Sequence, residues 1–263
     1  MSLPVRYLLL GGVILFGFLI LSCSATDEIS PQPVINVNTT CSPFMVNDPE
    51  FDFELKRTLS SMYSGGSDLG EVIATASRIK PLNYENWYTD WTKTADHFKK
   101  VGDTAYEQGH LVSAHDAWLR AQTYYRTAEF FLHRNPDDPR ILTSWKNSVD
   151  TFRAAMELDP VHMEIVSIPY ENTTLPGYFY SADESGEKKP LLIIQTGYDG
   201  TQEELYSNAL EGVKRGYNVL TFEGPGQGEV IRVQKIPFRY DWEKVVGPVL
   251  DYATSRPDVD SER

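Results

Sequence analysis

The sequence predicts an α/β protein in which an N-terminal all-helical domain precedes the first half of a sheet. Three observations carry that expectation. Across residues 191–222 an apolar run, a polar turn, a helical pattern and a second apolar run follow with short connections. That order makes a βαβ unit, with parallel strands and a right-handed crossover. Across residues 50–158 apolar side chains recur at helical spacing. Between these regions, residues 163–168 and 174–181 read as two strands joined at Glu171-Asn172, so an antiparallel pair precedes the parallel one.

From the N-terminus, Arg6 supplies a small positive charge and residues 7–21 form an apolar run. Ile20-Leu21-Ser22-Cys23 is similar to a bacterial lipobox. Residues 1–22 therefore read as a lipoprotein-type signal peptide, with Cys23 as the lipid-attachment residue. A plain signal peptide, or an uncleaved anchor reaching Ala25, is the alternative. Every version places the protein outside the cytoplasm, and the first holds it on the membrane through a lipid anchor. Residues 23–49, rich in Ser, Thr, Asn and Pro, make a flexible tether.

The helical domain takes residues 50–158. Trp87, Trp91, Ala95, Phe98 and Val101 lie on one helical stripe, which Ala105, Ala114, Ala117, Trp118, Ala121, Tyr124, Tyr125 and Ala128 continue. Residues 102–131 resemble a tetratricopeptide-type helix pair with Gly109 at its turn. A further helix is expected over 140–158, after the break at Asn135-Pro136-Asp137-Asp138-Pro139. At Pro160 the register changes to strands, and residues 159–263 form the α/β part. Its first parallel strand, 191–194, ends in the turn Gln195-Thr196-Gly197-Tyr198-Asp199-Gly200. A helix over 201–215 carries Leu205, Ala209, Leu210 and Val213 on one face, and Gly216 closes it. The second strand, 217–222, runs into the glycine-rich loop 224–229, and a last helix spans 242–254.

Composition excludes some functions. A hydrophobic content of 41% is enough for a buried core. A net charge of −13 opposes nucleic-acid binding and gives no attraction to anionic lipid. The two cysteines, Cys23 and Cys41, both lie in the tether, so neither a disulfide framework nor a metal site is expected.

In open α/β sheets chemistry gathers at the carboxyl ends of strands, where both conspicuous loops lie. The two antiparallel strands, the strand ending in Gly197-Tyr198-Asp199-Gly200, and Arg215-Gly216-Tyr217-Asn218-Val219-Leu220 look like the opening of an α/β-hydrolase sheet. Phe222-Glu223-Gly224-Pro225-Gly226-Gln227-Gly228-Glu229 is similar to a strand-end loop of that superfamily, with Glu223 where many relatives carry Asp. The Gly-Pro-Gly-Gln-Gly-Glu form behind a helical domain resembles one branch, which includes the fermentation–respiration switch protein, 2,6-dihydroxypseudooxynicotine hydrolase and fungal polyketide-shortening hydrolases.

The resemblance implies serine-type hydrolysis of a small-molecule ester, amide or ketone, without a cofactor. It implies that the backbone N–H of Tyr198 is an oxyanion donor. Gly197, Asp199, Gly200, Gly224, Gly226, Gly228 and Glu229 would line the substrate pocket. The same loop as a phosphate cradle is disfavoured, because no Gly-Lys-Ser/Thr occurs and no helix is expected to start there at once. His97, His110, His115, His133 and His162 all precede the parallel strands and read as helical surface or packing residues. His115 and Asp116 are helix neighbours, which do not ordinarily face each other. No Gly-x-Ser-x-Gly occurs, and the resemblance places residues 257–263 just before the strand that would end in the nucleophile. The chain thus reads as a hydrolase front half, inactive alone, with an unpaired apolar sheet edge. The alternative is an envelope lipoprotein that binds proteins through its tetratricopeptide-like helices. Oligomeric state is left open.

Overall fold

A computed structural model describes residues 45–197 and 199–262. The proposed signal peptide, Cys23, Cys41 and Tyr198 therefore lie outside the described residues. Five helices come first. Helix α1 (Pro49–Ser60) starts where Asp48 accepts hydrogen bonds from the Glu50 and Phe51 amides and where proline takes the first helical position. Asp68 caps α2 (Leu69–Ala76) in the same way, and Asp138 with Pro139 starts α5 (Pro139–Met156).

Between α2 and α5 lie α3 (Tyr84–Glu107) and α4 (Leu111–Glu129), an antiparallel pair turned by Gly109 at φ +77°. Gly102 lets the Trp118 indole lie directly on the α3 backbone, where a Cβ would collide with the ring. The helical core is aromatic: Phe51, Trp87, Trp91, Tyr124 and Phe131 pack with ring centroids 4.6–5.9 Å apart. Trp87 Nε1 also donates to the Thr127 carbonyl at 2.8 Å, so the buried indole is satisfied.

The sheet has four strands in the order β1-β2-β4-β3, built from β1 (Met163–Tyr170), β2 (Thr173–Tyr180), β3 (Leu191–Gln195) and β4 (Asn218–Phe222). Strands β1 and β2 pair antiparallel, as do β2 and β4, while β3 and β4 pair parallel. This mixed sheet, with helices before it, has the partial α/β-hydrolase architecture expected. Glu171 takes the β1–β2 turn at φ +45°. Val259 runs parallel beside Lys189, just before β3.

The crossover between β3 and β4 is not one helix. It opens as a 3-10 turn (Gln202–Leu205) and becomes α6 (Tyr206–Val213), with Ala209 buried and Leu205, Leu210 and Val213 partly so. After β4 comes a five-residue helix, α7 (Gly228–Arg232), which starts inside the glycine-rich loop, against the expectation that no helix starts there. Helix α8 (Glu243–Ser255) follows and contains Pro248.

Residues Leu175 to Tyr180 of β2 are all buried because both faces of the sheet are covered. Phe152 of α5 and Trp118 of α4 pack with Tyr178, Tyr180, Tyr206 and Val219 on one face. Val230 of α7 and Val245, Val249 and Ala253 of α8 pack with Ile168, Leu220 and Phe222 on the other. Each such large side chain contributes roughly 1.5–3 kcal/mol by leaving water. The first helices are thus fastened to the sheet by the same side chains that form its core.

Candidate active site

Strands β3 and β4 run in the same direction and end side by side, with Gln195 paired to Phe222. Their loops therefore emerge together. In the β3 loop, the Gly200 amide donates to the Gly197 carbonyl at 3.3 Å. A Cβ on Gly200 would run into the Thr196 side chain, so a glycine is needed there. Gly197 is exposed, with only Asp199 near the position of a Cβ, at 3.6 Å. Glu204 closes the loop by accepting from the Thr201 amide at 3.2 Å.

The β4 loop is shaped by what covers its glycines. Gly224 lies under Trp242, whose ring would stand 2.7 Å from a Cβ. Gly226, at φ +82°, backs onto Phe238 at 2.6 Å, and Phe238 stacks on Trp242 with centroids 5.1 Å apart. Gly228, at φ +35°, is covered by the carboxyl group of Glu223, which occupies the space of a Cβ.

That carboxyl is the organising group of the loop. Its two oxygens accept from the Gln202 amide at 3.0 Å and the Glu229 amide at 2.7 Å. It thereby ties the start of the 3-10 turn to the first turn of α7, and explains the helix that the sequence pattern lacked. The carboxyl oxygen takes up one of the N–H groups that a helix start leaves without a partner.

Burial raises the Glu223 pKa to about 8, and the neighbouring carboxyl of Glu203 pushes the same way. Glu203 is also raised, chiefly by burial; it accepts from the Tyr178 hydroxyl at 2.7 Å, and Tyr178 in turn accepts from Arg153 Nε at 3.2 Å.

Around this pair the helices supply cations. Arg57 of α1 holds Glu204 through two bonds of 2.9 Å and reaches Asp199 at 3.4 Å. Arg126 of α4 bridges Glu54 and Glu204. Arg232 of α7 pairs with Glu129 of α4 and lies 3.2 Å from His133 Nε2. Burial alone would raise the Glu129 pKa, but Arg232 and His133 more than offset it and the net direction is down. A polar cavity of about 40 Å³ lies among Arg57, Arg126, Gln122, Glu203, Glu204 and Tyr206. Among the described residues no group of three or more His, Cys, Asp or Glu side chains could hold a metal ion.

Of the residues singled out from sequence, Gly197 of the β3 loop and Gly224 of the β4 loop are joined through one side chain, Asp199 contacts Arg57, and none of Gly197, Asp199, Gly200, Gly224, Gly226, Gly228 and Glu229 lines the polar cavity. The link is Gln227, whose side chain is 1% exposed. Its Nε2 donates to the Thr196 carbonyl at 2.6 Å and the Gly197 carbonyl at 3.1 Å, while Oε1 accepts from the Gly224 amide at 2.8 Å. Sequence reasoning missed Gln227, Glu223 as a capping group, and Arg57. A glutamine flanked by glycines, Gly226-Gln227-Gly228, is the signal available for the first.

A further expectation is corrected. His115 and Asp116 do meet, Nδ1 to Oδ1 at 2.9 Å, because the ring turns along the helix to place Nε2 3.0 Å from Asp159. Asp159 also accepts from the Tyr206 hydroxyl, which ties α4 to α6. Among the described residues no helix is long and apolar enough to cross a membrane.

Comparison with known proteins fits this geometry. The family model described as esterase FrsA-like matches residues 79–262. The hydrolase acrC of Aspergillus aculeatus is 42% identical over 221 residues, which cover 78% of this chain and 52% of that protein. The 20-hydroxy-prefusarin hydrolase FUS2 of Gibberella moniliformis is 39% identical over 222 residues, 81% of this chain and 53% of that one. The crystal structure of a 2,6-dihydroxy-pseudo-oxynicotine hydrolase superposes with a TM-score of 0.63 at 21% identity, covering 76% of this chain and 54% of that one, and so shares the fold. The chain spans about half the length of the curated relatives it matches.

Proposed function

Because the chain belongs to the FrsA-like esterase family of α/β-hydrolases, we propose that it supplies the capping helices and one oxyanion donor of a serine-type hydrolase. The substrate is a small molecule with an ester, amide or ketone carbonyl. Support comes from the relatives, which are named as hydrolases, one of them for 20-hydroxy-prefusarin. The observation that carries the reading is the pinned loop at the end of β3. Acyl transfer needs a backbone N–H aimed at the developing oxyanion, on a loop that does not reorganise during reaction. The resemblance assigns that N–H to residue 198, and the hold of Gln227 on Thr196 and Gly197 supports the second condition. The helical region closes over the pocket and selects the substrate.

The 263 residues contain no Gly-x-Ser-x-Gly. On their own they hydrolyse nothing in this proposal, since an oxyanion donor without nucleophile, base and acid leaves only weak residual stabilisation. The same proposal takes residues 1–22 as a lipoprotein-type signal peptide and Cys23 as the attachment point of a lipid anchor outside the cytoplasm; loss of labelled fatty acid on Cys23→Ser is the expected sign.

The activity test uses p-nitrophenyl acyl esters. The chain alone should show no turnover above buffer. The chain joined in frame to the remaining half of acrC should turn over. In that joined protein Tyr198→Pro removes the N–H and should lower kcat about 10²–10³-fold, whereas Tyr198→Ala should stay within a few-fold. An inactive joined protein, or equal kcat for the two variants, would refute the reading.

A further inference from the structure

The ion pairs Arg57–Glu204, Arg126–Glu204 and Arg232–Glu129 fasten the helices to the α/β part through arginines, which stay charged at any ordinary pH. One corner uses a histidine instead. His115, near the start of α4, places Nε2 3.0 Å from Asp159 Oδ2 and Nδ1 2.9 Å from Asp116 Oδ1. Asp159 lies in the link between α5 and β1, with its side chain 3% exposed. Its other contacts hold it in place. The Val161 amide donates to Oδ1 at 2.7 Å, and the hydroxyl of Tyr206, the first residue of α6, donates to Oδ2. One carboxylate thus gathers α4, the passage from helices to sheet, and the crossover helix.

The contacts of the ring fix its protonation. A carboxylate only accepts, and a neutral imidazole has a single N–H. Two carboxylate oxygens, one at each ring nitrogen, are therefore both served only by the imidazolium. In a neutral ring one nitrogen would point a lone pair at an anion. If Nδ1 kept the proton, that anion would be Asp159, which Val161 and Tyr206 hold where it is. If Nε2 kept it, Asp116, whose side chain is 56% exposed, would turn into water. Either way the buried Asp159 loses the cation that balances it.

The electrostatics agree with the geometry. The bond to Asp159 raises the His115 pKa above its ordinary 6.5; burial opposes it, and the bond to Asp116 adds to the rise. Burial alone would raise the Asp159 pKa, but His115, Tyr206 and the Val161 amide together bring it down. Among the described residues the ring thus faces Asp116 from its own helix and Asp159 from the α5–β1 link. Behind Asp159 stands the Tyr206 hydroxyl of α6, a neutral donor whose pKa burial raises.

We propose that His115 is a pH-sensitive latch between the helices and the crossover: as an imidazolium it holds α4 to the Asp159–Tyr206 corner, and loss of its proton loosens that corner. Its contribution is complete below pH 6.5 and is withdrawn as pH rises through the higher value of the folded state, because the folded chain keeps a proton that the unfolded chain has released. The latch is independent of the hydrolase reading, since every group in it lies among the described residues.

Two readouts on the ¹⁵N-labelled 263-residue chain test it. Side-chain ¹H–¹⁵N spectra follow the five histidines, and His115→Gln identifies the signal of residue 115. His115 should titrate with a midpoint above 6.5, and Asp159→Asn should lower that midpoint. Amide hydrogen exchange, corrected for the intrinsic rate at each pH, reads the corner itself. Protection of the Val161 amide, relative to amides of α3, should fall about three- to tenfold as pH passes the His115 midpoint, the difference between a charged and a neutral donor. His115→Gln offers Asp159 a neutral N–H at every pH, so it should show the lower protection throughout and no step. Asp116→Asn should move midpoint and step together to lower pH, and it keeps the test open if the glutamine variant does not fold. A midpoint at or below 6.5, no step in the unmutated chain, or a step of the same size in His115→Gln would overturn the inference.

Discussion

The contact between Gly228 and the carboxyl of Glu223 makes the glycine-rich loop open to a quantitative test. A Cβ on residue 228 would stand far inside the 3.0 Å that real Cβ atoms do not breach, against the carboxyl carbon and both oxygens. The carboxyl cannot swing aside without releasing the Gln202 and Glu229 amides. Gly228→Ala therefore carries an overpacking cost of about 1–3 kcal/mol and a left-handed backbone cost of about 1–2 kcal/mol. Glu223→Ala strands the buried Gln202 amide and the partly buried Glu229 amide, at about 1–3 kcal/mol for the first and less for the second. The double variant relieves the overpacking and keeps the rest. It should thus be more stable than the sum of the single losses by about 1–3 kcal/mol, a coupling that distant sites do not show. Urea unfolding at pH 6, followed by far-ultraviolet circular dichroism, measures all four corners of the cycle. A coupling within about 0.5 kcal/mol of zero would mean that the carboxyl moves away freely, and the account of this loop would be wrong.

Two further outcomes follow from buried charge. Arg232→Met leaves Glu129 in the interior without its main counter-charge and should cost about 3–5 kcal/mol; adding Glu129→Gln should recover part of the loss in thermal melts. The second concerns pH. Glu223 titrates near 8 in the folded chain instead of near 4.5, so the folded state keeps a proton that the unfolded state has released. Stability from this group is full below pH 4.5 and is withdrawn as pH rises through 8, which is the sign required when the folded state binds more protons. The urea midpoint should fall between pH 6 and pH 9, and Glu223→Gln should flatten that fall. An unchanged slope in the variant would assign the titration elsewhere.

How far the sequence could be read depended on the range of the forces involved. The α3–α4 pair and the four strands were legible because their signals are local: periodic apolar residues, Gly109 at a turn, and Asp138-Pro139 at a helix start. The strand boundaries fell within two residues of the observed ones. The 3-10 opening of the β3–β4 crossover was not legible. Gln202, Glu203 and Glu204 look like the polar first turn of an exposed helix, yet Gln202 and Glu203 are buried. They are compensated by Tyr178 and by the amide pairing of Glu223, and Arg57 and Arg126 balance Glu204. Those partners lie between about 20 and 150 positions away in sequence.

The same reasoning separates what was seen at the site from what was not. Glycines announce themselves, and for Gly200, Gly224, Gly226 and Gly228 the structure supplies the neighbour that leaves no room for a Cβ: Thr196, Trp242, Phe238 and Glu223. The polar residues that hold those backbones in place do not. Glu223 reads as a substitute for aspartate and Gln227 as one more loop residue, because a carboxylate or carboxamide bonded only to backbone leaves no pattern in its partners' identities. Their chemistry is nevertheless constraining. Glu223 takes over the helix start and frees Gln227 from capping, and Gln227 then joins the β4 loop to the β3 loop. A shorter side chain at 223, such as aspartate, must reach the same two amides from a backbone one methylene further away. The glutamate at 223 and the glutamine at 227 are therefore best understood as one device. A substitution at either position should be felt first at Gly197, across the sheet end, before it is felt in the loop that carries it.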